Sequence, residues 1–241
     1  GPRAHFVLRW LYDLATRLDR KIMVRLVKGA YWDTEIKRAQ TLGLDGYPVF
    51  TQKANTDVSY IACARLLLGM TDRIYPQFAS HNAHTAAAIL HMAGEDRDSF
   101  EFQRLHGMGE DVYGALAQME GNKRTSVRIY APTGTHKDLL AYLVRRLLEN
   151  GANSSFVNRM ADAEVPASDL ATDPVADMAA LEPYRNPTIP LPADIFADRR
   201  NSAGIDLSDP LVLEPLQERL AELENKHWVA EPTFKSGSEA E

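Results

Sequence analysis

The feature that most constrains this chain is an alternation. Short runs of β-branched and aliphatic residues, each closed by a turn-forming or polar residue, take turns with longer segments whose apolar positions recur every three to four residues. Lys21–Lys28 (KIMVRLVK) ends at Gly29, and Arg73–Ala79 (RIYPQFA), Phe100–Leu105 (FEFQRL) and Ser126–Tyr130 (SVRIY) are its counterparts. Such runs suit buried strands. Tyr47–Phe50 is a weaker strand candidate that reads equally well as an ordered loop. The helical period predicts helices over His5–Leu18, Asp33–Leu42, Thr56–Leu68, Thr85–Met92, Glu110–Glu120 and His136–Glu149. Strands alternating with helices in this way imply right-handed crossovers and a parallel sheet, so the fold class is α/β. An open doubly wound sheet and a (β/α)8 barrel both satisfy the pattern. No G-x-G-x-x-G follows any of the strands, which favours the barrel. A complete barrel takes about 250 residues and eight strands. Only four strands are firm here, so the chain reads as half a barrel.

Charge divides the chain at the point where the alternation stops. Residues 1–160 carry 21 Lys and Arg against 16 Asp and Glu, a balance of +5; residues 161–241 carry 6 against 17, a balance of −11. Nine of the 13 prolines also follow residue 160, too many for long helices or central strands. The reading is a compact body over 1–160 and an acidic, proline-punctuated connector over 161–241, with one amphipathic helix expected at Leu211–Asn225 and a disordered end at GSEAE. No uncharged apolar run approaches the roughly 18–20 residues needed to cross a bilayer, because the longest, Ile61–Met70, is interrupted by Arg65. Gly1-Pro2-Arg3 opens no secretory signal pattern and Cys63 has no internal cysteine partner, so a reducing cytoplasm is the expected setting. The positive charges of the body are dispersed among helices, which speaks against nucleic acid and leaves small anions as ligands.

Four constellations could carry chemistry. Arg25 and Val27 share a strand face with Gly29, and Lys28, Tyr31 and Trp32 arrive with them where a barrel strand ends and barrel active sites lie. An inward-facing arginine needs an anion; a strand-end arginine paired with a neighbouring carboxylate is the alternative. Ser80-His81-Asn82, with His84 and His91, reads either as a metal-ligand set or as strand-end hydrogen-bonding groups leading into a helix cap, and the second reading is preferred because neither ligand count nor supporting shell can be assembled. Gln103 to Gly109 is explained by a strand-to-helix loop with two glycines. Tyr130 ends the last strand, and the following helix carries Thr135 and Asp138 as a T-x-x-D start and Asn150-Gly151 as a stop. Its apolar stripe is Leu139, Leu140, Leu143, Val144, Leu147 and Leu148, expected to face the core, while Tyr142, Arg145, Arg146 and Glu149 form the polar side. Two adjacent guanidiniums suit bidentate binding of a carboxylate; an exposed charged face is the alternative.

Taken in order, RLVKGAYWDTEIKRAQ, FASHNAHT, EFQRLHGMGE and RIYAPTGTHKDLLAYLVRRLLENGANSSFVNR closely resemble the proline dehydrogenase domain of the bacterial proline utilization A family, over about residues 5–160. The segments RNSAGIDLSDP and HWVAEPTF resemble that family's connector to a C-terminal, NAD-dependent aldehyde dehydrogenase domain. The resemblance implies the second half of a distorted (β/α)8 barrel that binds FAD noncovalently, oxidises L-proline to Δ1-pyrroline-5-carboxylate and passes electrons to a quinone. It also implies a cytoplasmic, homo-oligomeric parent with peripheral membrane association.

By the same resemblance, Arg25 lies beside flavin N5, and Val27, Lys28, Gly29, Ala30 and Trp32 line the flavin and its ribityl and phosphate groups. Thr51 and Lys53 match a loop near the adenosine, although Gln52 stands where a basic residue is expected. Ser80, His81, Asn82, Gln103, Glu149, Ser155 and Phe156 fall at further flavin positions. Proline's carboxylate would pair with Arg145 and Arg146, and its ring would pack on Tyr31, Leu105 and Tyr130; Arg25 and Tyr130 are the expected catalytic pair. No metal is needed. The family's first four barrel strands have no counterpart here, and with them go a lysine and an aspartate of the proline pocket. An inactive or interaction segment of the bifunctional enzyme, and a metal-dependent barrel hydrolase using His81 and His84, are the competing functions.

Overall fold

The computed structural model describes every residue except 30, 121–124, 152–163, 167–168, 170–171, 208, 225 and 232–241, together with all side chains outside these but 120 and 149–151. The expected strands form at Ile22–Val27 (β1), Ile74–Ala79 (β2), Glu101–Leu105 (β3) and Ser126–Tyr130 (β4). They make one parallel sheet in the order β1-β2-β3-β4, with Arg25 opposite Gln77, Gln77 opposite Glu101 and Gln103 opposite Arg128. Among the described residues β1 and β4 remain edges, so the sheet is open. Tyr47–Phe50 is loop, not strand.

Helices occupy Ala4–Arg17 (α1), Trp32–Leu42 (α2), Lys53–Leu68 (α3), Ala83–Ala93 (α4), Glu110–Glu120 (α5) and His136–Gly151 (α6). Each crossover brings a helix back over the same face of the sheet. There Ile74, Pro76 and Phe78 of β2 and Phe102 of β3 are buried against Cys63, Ala64 and Leu67 of α3 and Ile89 of α4. Phe78, Phe100 and Phe102 meet edge-to-face, with the Phe78–Phe100 centroids 5.6 Å apart and the Phe100–Phe102 centroids 5.7 Å apart. Aromatic pairs of this geometry stabilise beyond their buried area. The opposite face, which a closed barrel would enclose, carries the alternate residues of every strand: a polar middle of Arg25, Gln77, Glu101, Gln103 and Arg128, flanked by Met23, Val27, Ala79, Leu105 and Tyr130.

Two expectations about α6 need correction. Its apolar stripe does not enter a core: Leu140, Leu143, Val144, Leu147 and Leu148 are all exposed, as are Val127 and Ile129 on the helix face of β4. The cause is topological, because β4 is the sheet edge and no described element packs beyond it. The helix also runs to Gly151 rather than ending at Glu149, so it includes the expected Asn150-Gly151 stop. Its start is as expected, since Asp138 Oδ2 accepts both the Thr135 amide at 3.3 Å and the Thr135 hydroxyl at 2.8 Å.

Residues 164–231, where described, are more structured than their prolines suggest. A short helix at Pro174–Ala179 (α7), capped by Asp173, packs on α3, and a 3-10 turn at Pro192–Asp194 lies against α2. The expected amphipathic helix forms at Pro210–Glu224 (α8), with Leu211, Leu220 and Leu223 exposed. GSEAE lies outside the described residues.

Candidate active site

Parallel strands bring all their C-terminal ends to one edge of the sheet, so residues distant in sequence meet there. Val27 to Gly29, Ser80 to Asn82, Leu105 to Gly109, and Tyr130 occupy that edge. Arg25 sits one turn of the pleat below it. Its Nε donates to Gln103 Oε1 at 2.8 Å and its guanidinium lies 5.1 Å from the Tyr130 ring centroid, while the rest of the side chain remains exposed on the open face. From α6, Arg145 reaches back across the edge to sit 4.9 Å above the ring of Tyr31, and Arg146 lies 5.3 Å from the Tyr142 ring. The cation–π contacts therefore tie β1 to β4 and the β1–α2 turn to α6.

The network beneath Arg25 was not singled out from sequence. Glu101 is buried and accepts from Gln77 Nε2 at 2.8 Å, Gln103 Nε2 at 2.9 Å, and Arg128 Nε at 2.7 Å. Its second oxygen accepts from Arg128 Nη2 at 2.8 Å. The hydrogen bond from Arg128 is the main reason its carboxyl is held below the usual range. Because Glu101 takes the amide nitrogen of Gln103, the amide oxygen is turned towards Arg25. The available signal was the recurrence of polar residues at alternate strand positions (Gln77, Glu101, Gln103, Arg128), which marks a polar inner face.

Lys28 pairs with Asp57 of α3, which also takes Lys53 at 2.6 Å. Burial draws the Lys28 ammonium below its ordinary value despite that carboxylate. Burial would raise Asp57, yet the attraction and hydrogen bonds of the two lysines hold it below the carboxylate range. Trp32 donates its indole N–H to the carbonyl of Phe50 at 2.8 Å; Thr51 follows in the same loop and Lys53 opens α3. After β2, Tyr113 OH donates to Ser80 O at 2.6 Å, Ser80 Oγ accepts the Asn82 amide at 3.2 Å, and Asn82 Oδ1 caps α4 through Thr85 N at 2.9 Å. His81 Nε2 accepts the Leu105 amide at 3.1 Å. Burial first, then Arg146, Arg104 and Arg25, lower its pKa to about 4, so the ring is neutral. His81 Nε2 is thus engaged by a backbone amide.

Thus Arg25, Val27, Lys28, Gly29, Tyr31, Trp32, Ser80, His81, Asn82, Gln103, Leu105, Tyr130, Arg145 and Arg146 gather along one edge, with Thr51 in the adjoining loop and Lys53 at the start of α3. Ala30, Ser155 and Phe156 lie outside the described residues, as does the side chain of Glu149.

The family model for proline dehydrogenase matches residues 1–159. The chain belongs to the proline dehydrogenase family. The bifunctional protein PutA of Salmonella typhimurium is 52% identical over 97% of this chain and 18% of that protein. The proline dehydrogenase of Deinococcus radiodurans is 31% identical over 63% of this chain and 44% of that one. A solved structure of Bradyrhizobium japonicum proline utilization A, at 55% identity, covers 91% of this chain and 22% of that chain with a TM-score of 0.84. The chain spans about a fifth of the length of the bifunctional relatives it matches. The likeness bears out the α/β, barrel-type fold, with the sheet left open among the residues described.

Proposed function

We propose that this chain supplies one side of a flavin-dependent site that oxidises L-proline to Δ1-pyrroline-5-carboxylate, with a quinone as final electron acceptor. The observation that carries the reading is the convergence at one sheet edge of Arg145 over Tyr31 and Arg25 over Tyr130. Adjacent guanidiniums and two aromatic faces suit a small saturated ring bearing a carboxylate.

In this reading Arg145 and Arg146 hold the carboxylate and fix the orientation of the substrate, while Tyr31, Leu105 and Tyr130 exclude water from its ring. Oxidation removes a hydride from C5 and a proton from the ring nitrogen, leaving a carbon–nitrogen double bond. FAD, when bound, supplies the two-electron acceptor. Arg25 would favour that transfer by holding positive charge, aimed by Gln103 and Glu101, where negative charge develops. Lys28, paired with Asp57, offers a hydrogen-bond donor to a phosphate or to the electron-rich ring edge.

The residues fit such a group on grounds separate from the resemblance. A side chain added at Gly29 would meet nothing within 4 Å, so the end of β1 is an open shelf, and Val27, Tyr31 and Trp32 around it are 44%, 54% and 39% exposed. A flat, partly apolar ligand covers such a shelf. The metal-hydrolase reading loses its support because His81 Nε2 is already occupied by a backbone amide.

In the protein that carries this segment, Arg146→Met is expected to raise the KM for proline by roughly one to two orders of magnitude, the loss of a charged hydrogen-bonding partner, while FAD remains bound. An unchanged KM sinks the carboxylate assignment. Bleaching of a flavin absorption band by L-proline tests the reaction itself.

A further inference from the structure

Residues 184–191 lie across the 47–52 loop and the first turn of α3, and three hydrogen bonds fasten them there. Thr51 Oγ1 accepts the backbone amide of Asn186 at 3.0 Å, Asn55 Nδ2 donates to Tyr184 O at 2.7 Å, and Tyr47 OH donates to Pro190 O at 2.7 Å. The segment is pre-shaped for the contact, since Asn186 Oδ1 accepts both the amide of Thr188 at 3.0 Å and its hydroxyl at 2.8 Å. Tyr47, Val49 and Phe50 of the loop face Tyr184, Ile189 and Leu191 of the connector across a shared apolar space. The same loop holds the indole of Trp32 through the carbonyl of Phe50 at 2.8 Å, and continues into Lys53, which shares Asp57 with Lys28.

We infer that residues 184–191 act as a strap that positions the 47–52 loop, and through it Trp32 and Lys53, for the cofactor, so that Thr51 is a positioning residue whose hydroxyl serves the strap. The inference rests on the flavin reading above and changes one part of it, since Thr51 then acts on the cofactor through loop geometry. A threonine hydroxyl has one proton to donate and two acceptor sites. The acceptor side is taken by Asn186, which fixes the rotamer and the direction of the adjoining backbone. The chemistry is that of a tether: two bonds from Tyr47 and Thr51 to backbone groups of 184–191 hold a loop that has no sheet or helix of its own over 47–52, and a third, from Asn55 in the first turn of α3, anchors the strap beside it. Loops held in this way lose less entropy when a ligand orders them, which raises affinity without a new ligand contact.

The test uses the full-length protein that carries this segment, with two measurements on each variant: the FAD dissociation constant from flavin fluorescence, and the rate of tryptic cleavage after Arg185 with no flavin added. Thr51→Val keeps the shape and removes the acceptor. It should weaken FAD by roughly three- to tenfold, the factor for one lost hydrogen bond, and should speed cleavage in the strap. Thr51→Ser should restore both. Tyr47→Phe, a half-buried change at the other end of the strap that also removes the acceptor of Gln40 Nε2, should move both in the same direction by a smaller factor. If Thr51→Val weakens FAD while cleavage after Arg185 stays at the parent rate, the hydroxyl serves the cofactor directly and the strap is refuted. Faster cleavage with unchanged FAD affinity refutes it as well. A parent protein that binds no FAD overturns the flavin reading itself, an outcome visible before any variant is compared.

Discussion

Glu101→Gln is the substitution that most directly probes the polar face of the sheet. Glu101 has a side chain only 4% exposed and receives four hydrogen bonds, every one from a donor: Gln77 Nε2, Gln103 Nε2, and Arg128 Nε and Nη2. The glutamine can keep its carbonyl oxygen where Oε1 is, facing three of those donors, but its amide then points two hydrogens at Arg128 Nη2. One charged hydrogen bond is lost and a repulsive contact replaces it. Breaking a fully buried ion pair costs about 3–5 kcal/mol. Arg128 is more than half exposed, so water can recover part of its charge, and we expect about 2 kcal/mol. Glu101→Leu should cost more, because Gln77 and Gln103 lose their acceptor and Arg25 loses the amide that aims it.

The pH dependence supplies an independent check. The Glu101 carboxyl is held below its ordinary 4.5, chiefly by Arg128, so the native state binds fewer protons than the unfolded state just below that pH. Its stabilisation is fully present above about pH 5 and is lost as pH falls through the depressed native value. Chemical denaturation of wild type and Glu101→Gln from pH 8 to 3 should give a constant difference down to about pH 5, shrinking below it. A difference under about 0.5 kcal/mol at pH 7, or one that persists unchanged at pH 3, would refute the reasoning. A double-mutant cycle with Arg128→Ala then isolates the pair.

Phe78→Ala removes a fully buried ring that touches both Phe100 and Phe102, and should lower stability by about 3–5 kcal/mol in a denaturant titration, with the secondary-structure content of the remaining native state unchanged. His81 is neutral in the fold with a pKa of about 4 against an ordinary 6.5, so stability should fall as pH drops below 6.5; after discounting for partial exposure we expect about 1–2 kcal/mol lost between pH 7 and 5, absent in His81→Gln. Gly43 has φ +59° and a Cβ there would collide with the carbonyl of Ser202, so Gly43→Ala should cost about 1–3 kcal/mol and raise hydrogen exchange across 201–207.

What could be read from sequence, and what could not, divides along the range of the interactions. Each strand and helix is announced by neighbours within a dozen residues, so KIMVRLVK and HKDLLAYLVRRLLE are recognisable alone, and the parallel connection then fixes which strand ends share an edge. That is why Arg25, His81, Leu105 and Tyr130 could be brought together without coordinates. The Glu101 network escaped because it depends on register: Gln77 meets Glu101, and Gln103 meets Arg128, across strands separated by connections of 20 or more residues. Nothing local in FEFQRL says which donors its glutamate will meet. The strap escaped for a different reason. Two of its three bonds end on backbone carbonyls and the third starts from a backbone amide, groups that every residue possesses and that no composition reveals. The stripe on α6 is the reverse case, a signal read correctly whose expected consequence is missing. Period 3.6 states that Leu140, Leu143 and Leu147 require cover, and their exposure here shows that the covering surface must come from beyond the described elements. An apolar helix face predicts a partner more firmly than it predicts burial within the same stretch of chain, because the hydrophobic driving force is indifferent to where in the polypeptide that partner is encoded.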